Sequence, residues 1–162
     1  EAKTMIYALC YGSGDARLGA ILGKGAKEGR ELRERFYDAN PAFAKLLRQV
    51  KTAAKRGYLF GLDGRKVPVR SDHAALNTLI QGASAIVAKK WVQLVHQELN
   101  KQPFDSQIIA FVHDEIQIQT KGEPDNVGNL ARRMAKEAGR QLGFKIPIEA
   151  EHNHGLNWAD TH

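Results

Sequence analysis

An apolar segment interrupted by three polar residues constrains the fold of this chain more than any other feature of the sequence. Residues 108–112 are continuously apolar, His113-Asp114-Glu115 follow, and residues 116–119 then alternate between apolar and polar. The first run is typical of a strand that is buried on both faces, and the alternation is typical of a half-buried strand. A short turn between the two strands would hold two carboxylates at the rim of a sheet.

The remainder of the chain has mainly helical patterns, punctuated by glycine and proline. The predicted elements are helices over residues 2–11, 15–22, 26–38, 41–56, 71–100 and 125–142, and a last strand over 144–151. Asp63-Gly64 predicts a tight hairpin within residues 58–70, with Arg65 and Lys66 at its tip. We therefore expect an α+β fold that is mainly helical, with a small and largely antiparallel sheet.

The composition excludes several classes of protein. No run approaches the ~18 apolar residues of a membrane span, and the N-terminal residues lack the pattern of a secretory signal. Cys10 is the single cysteine, which excludes a disulfide framework and a zinc cluster of several cysteines. The net charge of +6 favours a polyanionic partner such as nucleic acid, the alternative being a solvated basic surface. We expect a reducing, cytoplasmic setting, which would be the host cytoplasm for a viral protein.

The adjacent carboxylates of Asp114 and Glu115 suggest a metal site. Their mutual repulsion and desolvation are costly without a cation. Mg²⁺ takes oxygen ligands and needs few protein carboxylates when phosphates complete its coordination shell. Two-metal phosphoryl transfer uses a site of this kind. An ordinary solvated Asp-Glu turn is the alternative, and on the dipeptide alone it is the commoner one.

Two sets of polar or aromatic side chains recur every four residues, which places each set on one face of a helix. They are His73, Asn77 and Gln81 in the first set, and Lys3, Tyr7 and Tyr11 in the second. The first set offers neutral hydrogen-bonding groups to the minor-groove acceptors that every base pair presents. The second offers a cation for phosphate and two rings for stacking. The alternatives are a plain amphipathic helix for the first set and packing tyrosines for the second.

In their order along the chain, these motifs resemble the C-terminal part of family A DNA polymerases, and most of all the short-tailed-phage branch. Five segments carry the likeness: residues 3–14 (motif B of the fingers), 61–66, 73–81, 112–115 (motif C) and 157–162 (the family's C-terminus). The likeness covers essentially all 162 residues. It implies template-directed nucleotidyl transfer to a primer 3′-hydroxyl.

The resemblance implies a role for each candidate residue around the reacting atoms. Asp114 would ligate two catalytic Mg²⁺ ions, with Glu115 as its less essential neighbour and His113 at the primer end. Lys3 would hold the triphosphate and assist proton transfer to the leaving group. The remaining implied contacts are Tyr7 with the incoming sugar, Tyr11 with the templating base, Asn77, Gln81 and His73 with the minor groove, and Arg65 and Lys66 with the DNA backbone. In this family a tyrosine at the position of Tyr7, rather than phenylalanine, goes with easy acceptance of dideoxynucleotides.

The resemblance also implies what would complete the site. Motif A supplies the second metal-bridging aspartate of the family, and it lies upstream of residue 1. We expect residues 1–60 to form a portion of the fingers and residues 61–162 a portion of the palm with the C-terminal tail. Expected partners are primer–template DNA, a dNTP and an N-terminal polymerase fragment that carries motif A, with a processivity factor as a further candidate and no membrane. Alone, the chain is expected to be inactive in primer extension.

The chain begins inside the predicted nucleotide-binding helix, and this favours a split polymerase. Thr4 is then a candidate splice-junction residue for a split intein, while an expression fragment or a cleavage product fits equally. Two other functions stay open. One is a catalytically idle DNA-binding or assembly fragment of the same enzyme, and the other is a metal-dependent nuclease that uses Asp114 and Glu115.

Overall fold

Six α-helices and four short strands make up residues 2–161, the part of the chain that the computed structural model describes. In chain order they are α1 (Ala2–Cys10), α2 (Asp15–Ile21), α3 (Ala26–Ala39), α4 (Pro41–Ala54), β1 (Tyr58–Phe60), β2 (Lys66–Pro68), α5 (Ala75–Leu99), β3 (Ser106–Val112), β4 (Glu115–Thr120) and α6 (Pro124–Gln141), with a 3₁₀ helix at Trp158–Thr161. The strands form two separate antiparallel pairs. The predicted α+β class is confirmed.

The chain divides between Ala83 and Ser84, inside α5, into two compact units, called the N-terminal and the C-terminal unit below. Each unit has its own apolar cores. The division does not coincide with the boundary at residue 60 that the resemblance implies, and the assignment of fingers and palm portions stays a prediction.

Two small cores hold the N-terminal unit together. The first joins α1 and α2, with partners from α3, and contains Ala8, Leu9, Leu18, Met5, Ile21, Phe36 and Tyr37. The second joins α4, β1 and the start of α5, and contains Val50, Ala54, Leu59, Ala75, Leu76 and flanking apolar side chains. Because α1 buries only one of its faces, the opposite face of this helix is exposed.

The hairpin of β1 and β2 forms where the sequence predicts it. Leu59 pairs with Val67, and Gly64 has a φ of 76°, which suits the turn at Asp63-Gly64. The tip assignment is right for Arg65, the last loop residue, and wrong for Lys66. Lys66 lies in β2, opposite Phe60, because the loop closes before it.

The C-terminal unit packs a hairpin of β3 and β4 against two helices. Val112 pairs with Glu115, so His113-Asp114 forms the two-residue connection. The core consists of Val95, Leu99, Val127, Leu130, Ala131 and the partly buried side chains Trp91, Phe104, Ile108, Ile116, Ile118 and Met134. The amphipathic helix predicted over residues 125–142 is confirmed as α6.

The prediction that β3 is buried on both faces is wrong for this chain. Ile108 packs in the core, whereas Ile109 is 60% exposed and Phe111 is 39% exposed. Successive side chains of a strand point to opposite faces. Within residues 84–161, helices cover only one face of the two-stranded sheet.

Two other predicted boundaries also differ from the structure. Residues 144–151 form no strand, and Ile146 is 76% exposed, while Ile148 packs closely on Gly139 of α6. The long helix α5 begins at Ala75 instead of Ser71. A turn precedes it, in which the Ala74 N–H donates to both the carbonyl and the hydroxyl oxygen of Ser71.

Candidate active site and DNA interface

The exposed face of α1 carries the first predicted group of site residues. Tyr7 is 50% exposed and Tyr11 is 53% exposed, and their rings stack with centroids 6.2 Å apart at an interplanar angle of 17°. The ammonium nitrogen of Lys3 lies 5.9 Å from the centre of the Tyr7 ring. The spacing therefore places one cation and two rings on one face, as predicted, and the two tyrosines are not part of a core.

The C-terminal end of α1 lies against the turn that carries His73. The Ser13 N–H donates to the Ala8 carbonyl at 2.9 Å, and Gly12 has a φ of 71°. A Cβ atom on Gly12 would lie 2.4 Å from the carbonyl oxygen of His73. Only glycine allows this approach, so the end of α1 and the entry to α5 are held together within the N-terminal unit.

A cationic groove of about 360 Å³ opens beside this junction. It is lined by Leu9, Gly12, Ser13, Gly14, Arg33, Tyr37, Leu47, Lys51 and His73. The guanidinium of Arg33 forms an ion pair with the carboxylate of Asp15, at 2.6 Å between Nη1 and Oδ1, which holds it in place. Burial raises the pKa of Tyr37 above its usual range, so its phenol stays neutral and can donate a hydrogen bond.

The predicted minor-groove residues are split between a turn and a helix. His73 is exposed in the turn that precedes α5, so it does not belong to the helical face on which it was expected. Asn77 and Gln81 lie in the first turns of α5, where Asn77 is half-buried and Gln81 is exposed. The side-chain oxygen of Asn77 is buried and has no hydrogen-bond partner among residues 2–161.

The hairpin turn of the C-terminal unit presents the predicted carboxylates. His113 has a φ of 55°, and primed two-residue hairpin turns require a positive φ at this first position. Asp114 is exposed at the turn, and Glu115 is half-buried and accepts a hydrogen bond from the side-chain amide of Gln117. The strand pairing of Val112 with Glu115 closes the turn and so fixes its direction.

These two carboxylates are of the chemical type that Mg²⁺ prefers, but they are too few to complete its coordination. Both are oxygen ligands, and Mg²⁺ in proteins is commonly bound through one or two carboxylates plus substrate phosphates and water. In the described part of the chain, no group of three or more His, Cys, Asp or Glu side chains is placed to hold a metal ion. A Mg²⁺ ion held by Asp114 and Glu115 would therefore need further oxygen ligands from elsewhere.

The candidate residues thus belong to different units. The N-terminal unit contains Lys3, Tyr7, Tyr11, Arg65, Lys66, His73, Asn77 and Gln81, and the C-terminal unit contains His113, Asp114 and Glu115. Arg65 is paired with the carboxylate of Asp63 in its own loop, which lowers the pKa of that carboxyl. No helix of residues 2–161 is long and apolar enough to cross a membrane.

Sequence reasoning missed an aromatic and cationic cluster on the outer face of β1. Lys66 lies 4.7 Å from the ring centre of Tyr58, and Arg56 lies near the rings of both Tyr58 and Phe60. The available signal was the alternation of two aromatic residues around Leu59, between basic residues on both sides.

Comparisons with known proteins point in one direction. The family described as DNA polymerase family A matches residues 1–160. The DNA-directed DNA polymerase of Escherichia phage Phieco32 is 38% identical over 170 residues, covering 100% of this chain and 28% of that polymerase. The DNA-directed DNA polymerase of Escherichia phage T7 is 36% identical over 187 residues, covering 100% of this chain and 26% of that polymerase.

A solved structure shares the fold. The POL domain of Pol1 from M. smegmatis, in complex with DNA primer-template and dNTP, is similar with a TM-score of 0.84 and 26% sequence identity. The match covers 98% of this chain and 30% of that chain. The present chain therefore spans about a quarter of the length of the phage polymerases it matches.

Proposed function

Because the chain belongs to the family A DNA polymerases, we propose that it is the C-terminal part of a phage-type DNA-directed DNA polymerase. The reaction is the attack of a primer 3′-hydroxyl on the α-phosphorus of a dNTP, which forms the new phosphodiester bond and releases pyrophosphate. The match of the family over residues 1–160 is the observation that carries this proposal. The exposure of the predicted site side chains on α1 and at the β3–β4 turn supports it.

The exposed face of α1 receives the dNTP. The ammonium group of Lys3 neutralises the triphosphate and is a proton donor for the pyrophosphate leaving group. The ring of Tyr7 lies against the incoming sugar, and that of Tyr11 lies near the templating base. The stacking of these two rings supports this assignment, because each holds the other in place on the helix surface.

The β3–β4 turn holds the metal ligands. Asp114 and Glu115 bind Mg²⁺, which in a two-metal site stabilises the charge on the attacking and leaving oxygens. His113 precedes them in the same turn and contacts the primer end. The exposed position of Asp114 supports this role, since its carboxylate is open to substrate oxygens.

The remaining candidates bind the primer–template. Asn77 and Gln81 donate hydrogen bonds to minor-groove acceptors of the new base pair, with His73 beside them. Arg65 and Lys66 contact phosphates, which adds affinity without sequence preference. The net charge of +6 supports binding to a polyanion.

The rest of the polymerase completes the active site. A partner segment with motif A supplies the missing metal-bridging aspartate. This agrees with the β3–β4 turn, which offers two carboxylates, whereas no group of three or more metal-binding side chains lies together in residues 2–161. Residues 1–60 contribute to the fingers and residues 61–162 to the palm, and the enzyme works in the cytoplasm. The chain alone does not extend a primer.

The test is primer extension with the chain and the upstream polymerase part combined, with Mg²⁺ present. Asp114→Ala abolishes extension and leaves DNA affinity largely unchanged, because it removes a metal ligand and not a phosphate contact. Asp105→Ala is the matched control, since Asp105 is an exposed aspartate of the same unit, and its carboxylate pairs with Lys121 at 3.0 Å on the surface. The control keeps its activity.

Three outcomes would contradict the proposal. Extension by the chain alone would refute the need for a partner. Tight DNA binding by the combined parts without extension would favour the idle assembly fragment, and Mg²⁺-dependent cleavage of DNA that requires Asp114 would favour the nuclease.

A further inference from the structure

The outer face of β1 carries two aromatic rings with a cation beside each. The rings of Tyr58 and Phe60 meet edge to face, with centroids 5.5 Å apart at 86°. The guanidinium carbon of Arg56 lies 5.3 Å from the Tyr58 centroid and 5.9 Å from the Phe60 centroid, and the Lys66 nitrogen lies 4.7 Å from the Tyr58 centroid. We call these four residues the β1 aromatic face.

The β1 aromatic face is not part of a core. Leu59, between the two aromatic residues, points the other way and is 4% exposed in the core of the N-terminal unit. Phe60 is 50% exposed, and Leu62 in the adjoining loop is 49% exposed. A single exposed ring is ordinary on a protein surface, but an exposed ring supported by a second ring and two cations is a preformed contact surface.

Several contacts hold this surface in place. The Arg56 side chain donates through Nε to the carbonyl of Ala53 at 3.2 Å, which holds its guanidinium beside the rings. The ladder pair of Phe60 with Lys66 holds β1 and β2 in register. Tyr58 is half-buried and supports Phe60 with its ring, so Phe60 presents the freer ring surface.

The surrounding charge selects an anionic occupant. The basic residues of the segment 55–70 are Lys55, Arg56, Arg65, Lys66 and Arg70. Its single acid, Asp63, is already paired with Arg65. A polyanion that also presents flat apolar surfaces satisfies both the cations and the exposed ring.

We propose that the β1 aromatic face is a stacking site for unpaired bases of single-stranded DNA. A base stacks on Phe60, and Arg56 and Lys66 neutralise the flanking phosphates. Duplex DNA offers phosphates but hides its base faces, whereas a single strand offers both. The proposal rests on the proposed function only in identifying the bound strand. In a DNA polymerase, that strand is the unpaired template.

Binding of a fluorescent oligodeoxythymidylate to the 162-residue chain tests the proposal, with a blunt duplex of equal length as the second ligand. Phe60→Ala and Phe60→Leu both lower the affinity for the single strand by about 5- to 150-fold, as expected for the loss of one base–aromatic stack. Phe60→Trp keeps or raises this affinity. Leu62→Ala is the matched control, since it removes an exposed apolar side chain of the same hairpin without removing a ring, and it changes neither affinity.

The duplex and the salt dependence make the test specific. None of the Phe60 variants changes the affinity for the blunt duplex. Arg56→Ala and Lys66→Ala each reduce the slope of log affinity against log salt for the single strand by about 0.7. If Phe60→Ala fails to fold, Phe60→Leu, which keeps the apolar bulk, decides the question.

The results that overturn the proposal differ from those that overturn the polymerase assignment. Single-strand binding by Phe60→Leu as tight as that of the wild type, or an equal loss for the duplex, refutes a stacking site. A failure of the combined polymerase to extend primers refutes the proposed function and leaves the oligodeoxythymidylate result as expected.

Discussion

Gly12 lies where the C-terminal end of α1 contacts the turn that carries His73. Replacing Gly12 by alanine tests how closely these two segments pack. Gly12 has a φ of 71°, and a Cβ atom there would lie 2.4 Å from the His73 carbonyl oxygen. Left-handed backbone costs an alanine about 1–2 kcal/mol, and forcing an extra methyl into a packed contact costs about 1–3 kcal/mol more. We expect Gly12→Ala to lower the free energy of unfolding by about 2–5 kcal/mol.

Gly23→Ala is the matched control for the backbone contribution. Gly23 has a φ of 65°, but a Cβ atom there would meet nothing within 4 Å. The control therefore loses only about 1–2 kcal/mol. Urea unfolding of both variants and the wild type, followed by circular dichroism in one buffer, measures the difference, which is the cost of the clash with His73.

The same variant has a functional readout. A displaced end of α1 moves Tyr11 relative to the entry of α5, so the combined polymerase with Gly12→Ala has a higher KM for dNTP than the wild type, whereas Gly23→Ala leaves it unchanged. Equal destabilisation by the two substitutions would refute the reasoning, because it would show that the loop relaxes away from His73 at no cost.

Three further predictions address the nucleotide site, the exposed sheet face and the pH dependence of stability. Tyr7→Phe relieves the strong block of the combined polymerase by dideoxy terminators; unchanged discrimination in a primer-extension ladder contradicts the assignment of Tyr7. Ile109→Gln raises the solubility of the isolated chain, measured by light scattering against concentration, without lowering its melting temperature, since this side chain is 60% exposed; a large drop in melting temperature contradicts the exposed position. The hydrogen bonds from Arg140 lower the pKa of Glu137 from 4.5 to about 2, so this carboxylate stabilises the fold above pH ~4.5 and loses that contribution as the pH falls towards 2. The difference in melting temperature between the wild type and Glu137→Gln should vanish over that range, and a constant difference contradicts the ion pair.

The ends of most elements could be predicted because they depend on local backbone chemistry. Pro41 begins α4 and Asp63-Gly64 turns the β1–β2 hairpin, as proline and glycine dictate nearly alone. The start of α5 is different, because Ser71 bonds to the Ala74 N–H and forms a separate turn that the apolar pattern does not reveal. That turn removes His73 from the helix and brings its carbonyl to Gly12.

The candidate site was predictable where its geometry lies within one element. The four-residue spacing of Lys3, Tyr7 and Tyr11 implies that they share one face of a helix. In the structure, Lys3 lies beside the ring of Tyr7, which stacks on that of Tyr11. The β1 aromatic face was not predictable in the same way, because the contact of Lys66 with Tyr58 depends on which strand residues pair across the hairpin. Strand register follows from tertiary packing as well as from the turn.

The exposed face of β3 is where the prediction from the sequence and the structure disagree, and the proposed function offers a reason. An apolar run such as residues 108–112 indicates a strand that is buried on both faces in the folded protein. Such runs are typical of strands whose sheet is covered on both faces by other elements. The present chain spans about a quarter of its phage relatives and covers one face, leaving Ile109 and Phe111 exposed beside the carboxylate turn. If an upstream part of the polymerase packs here and supplies the metal-bridging aspartate, as proposed above, that single neighbour accounts for both the uncovered face and the incomplete metal site. Hydrogen exchange of β3 amides should therefore slow when the two parts are combined, while α6, already buried along its apolar face, changes little.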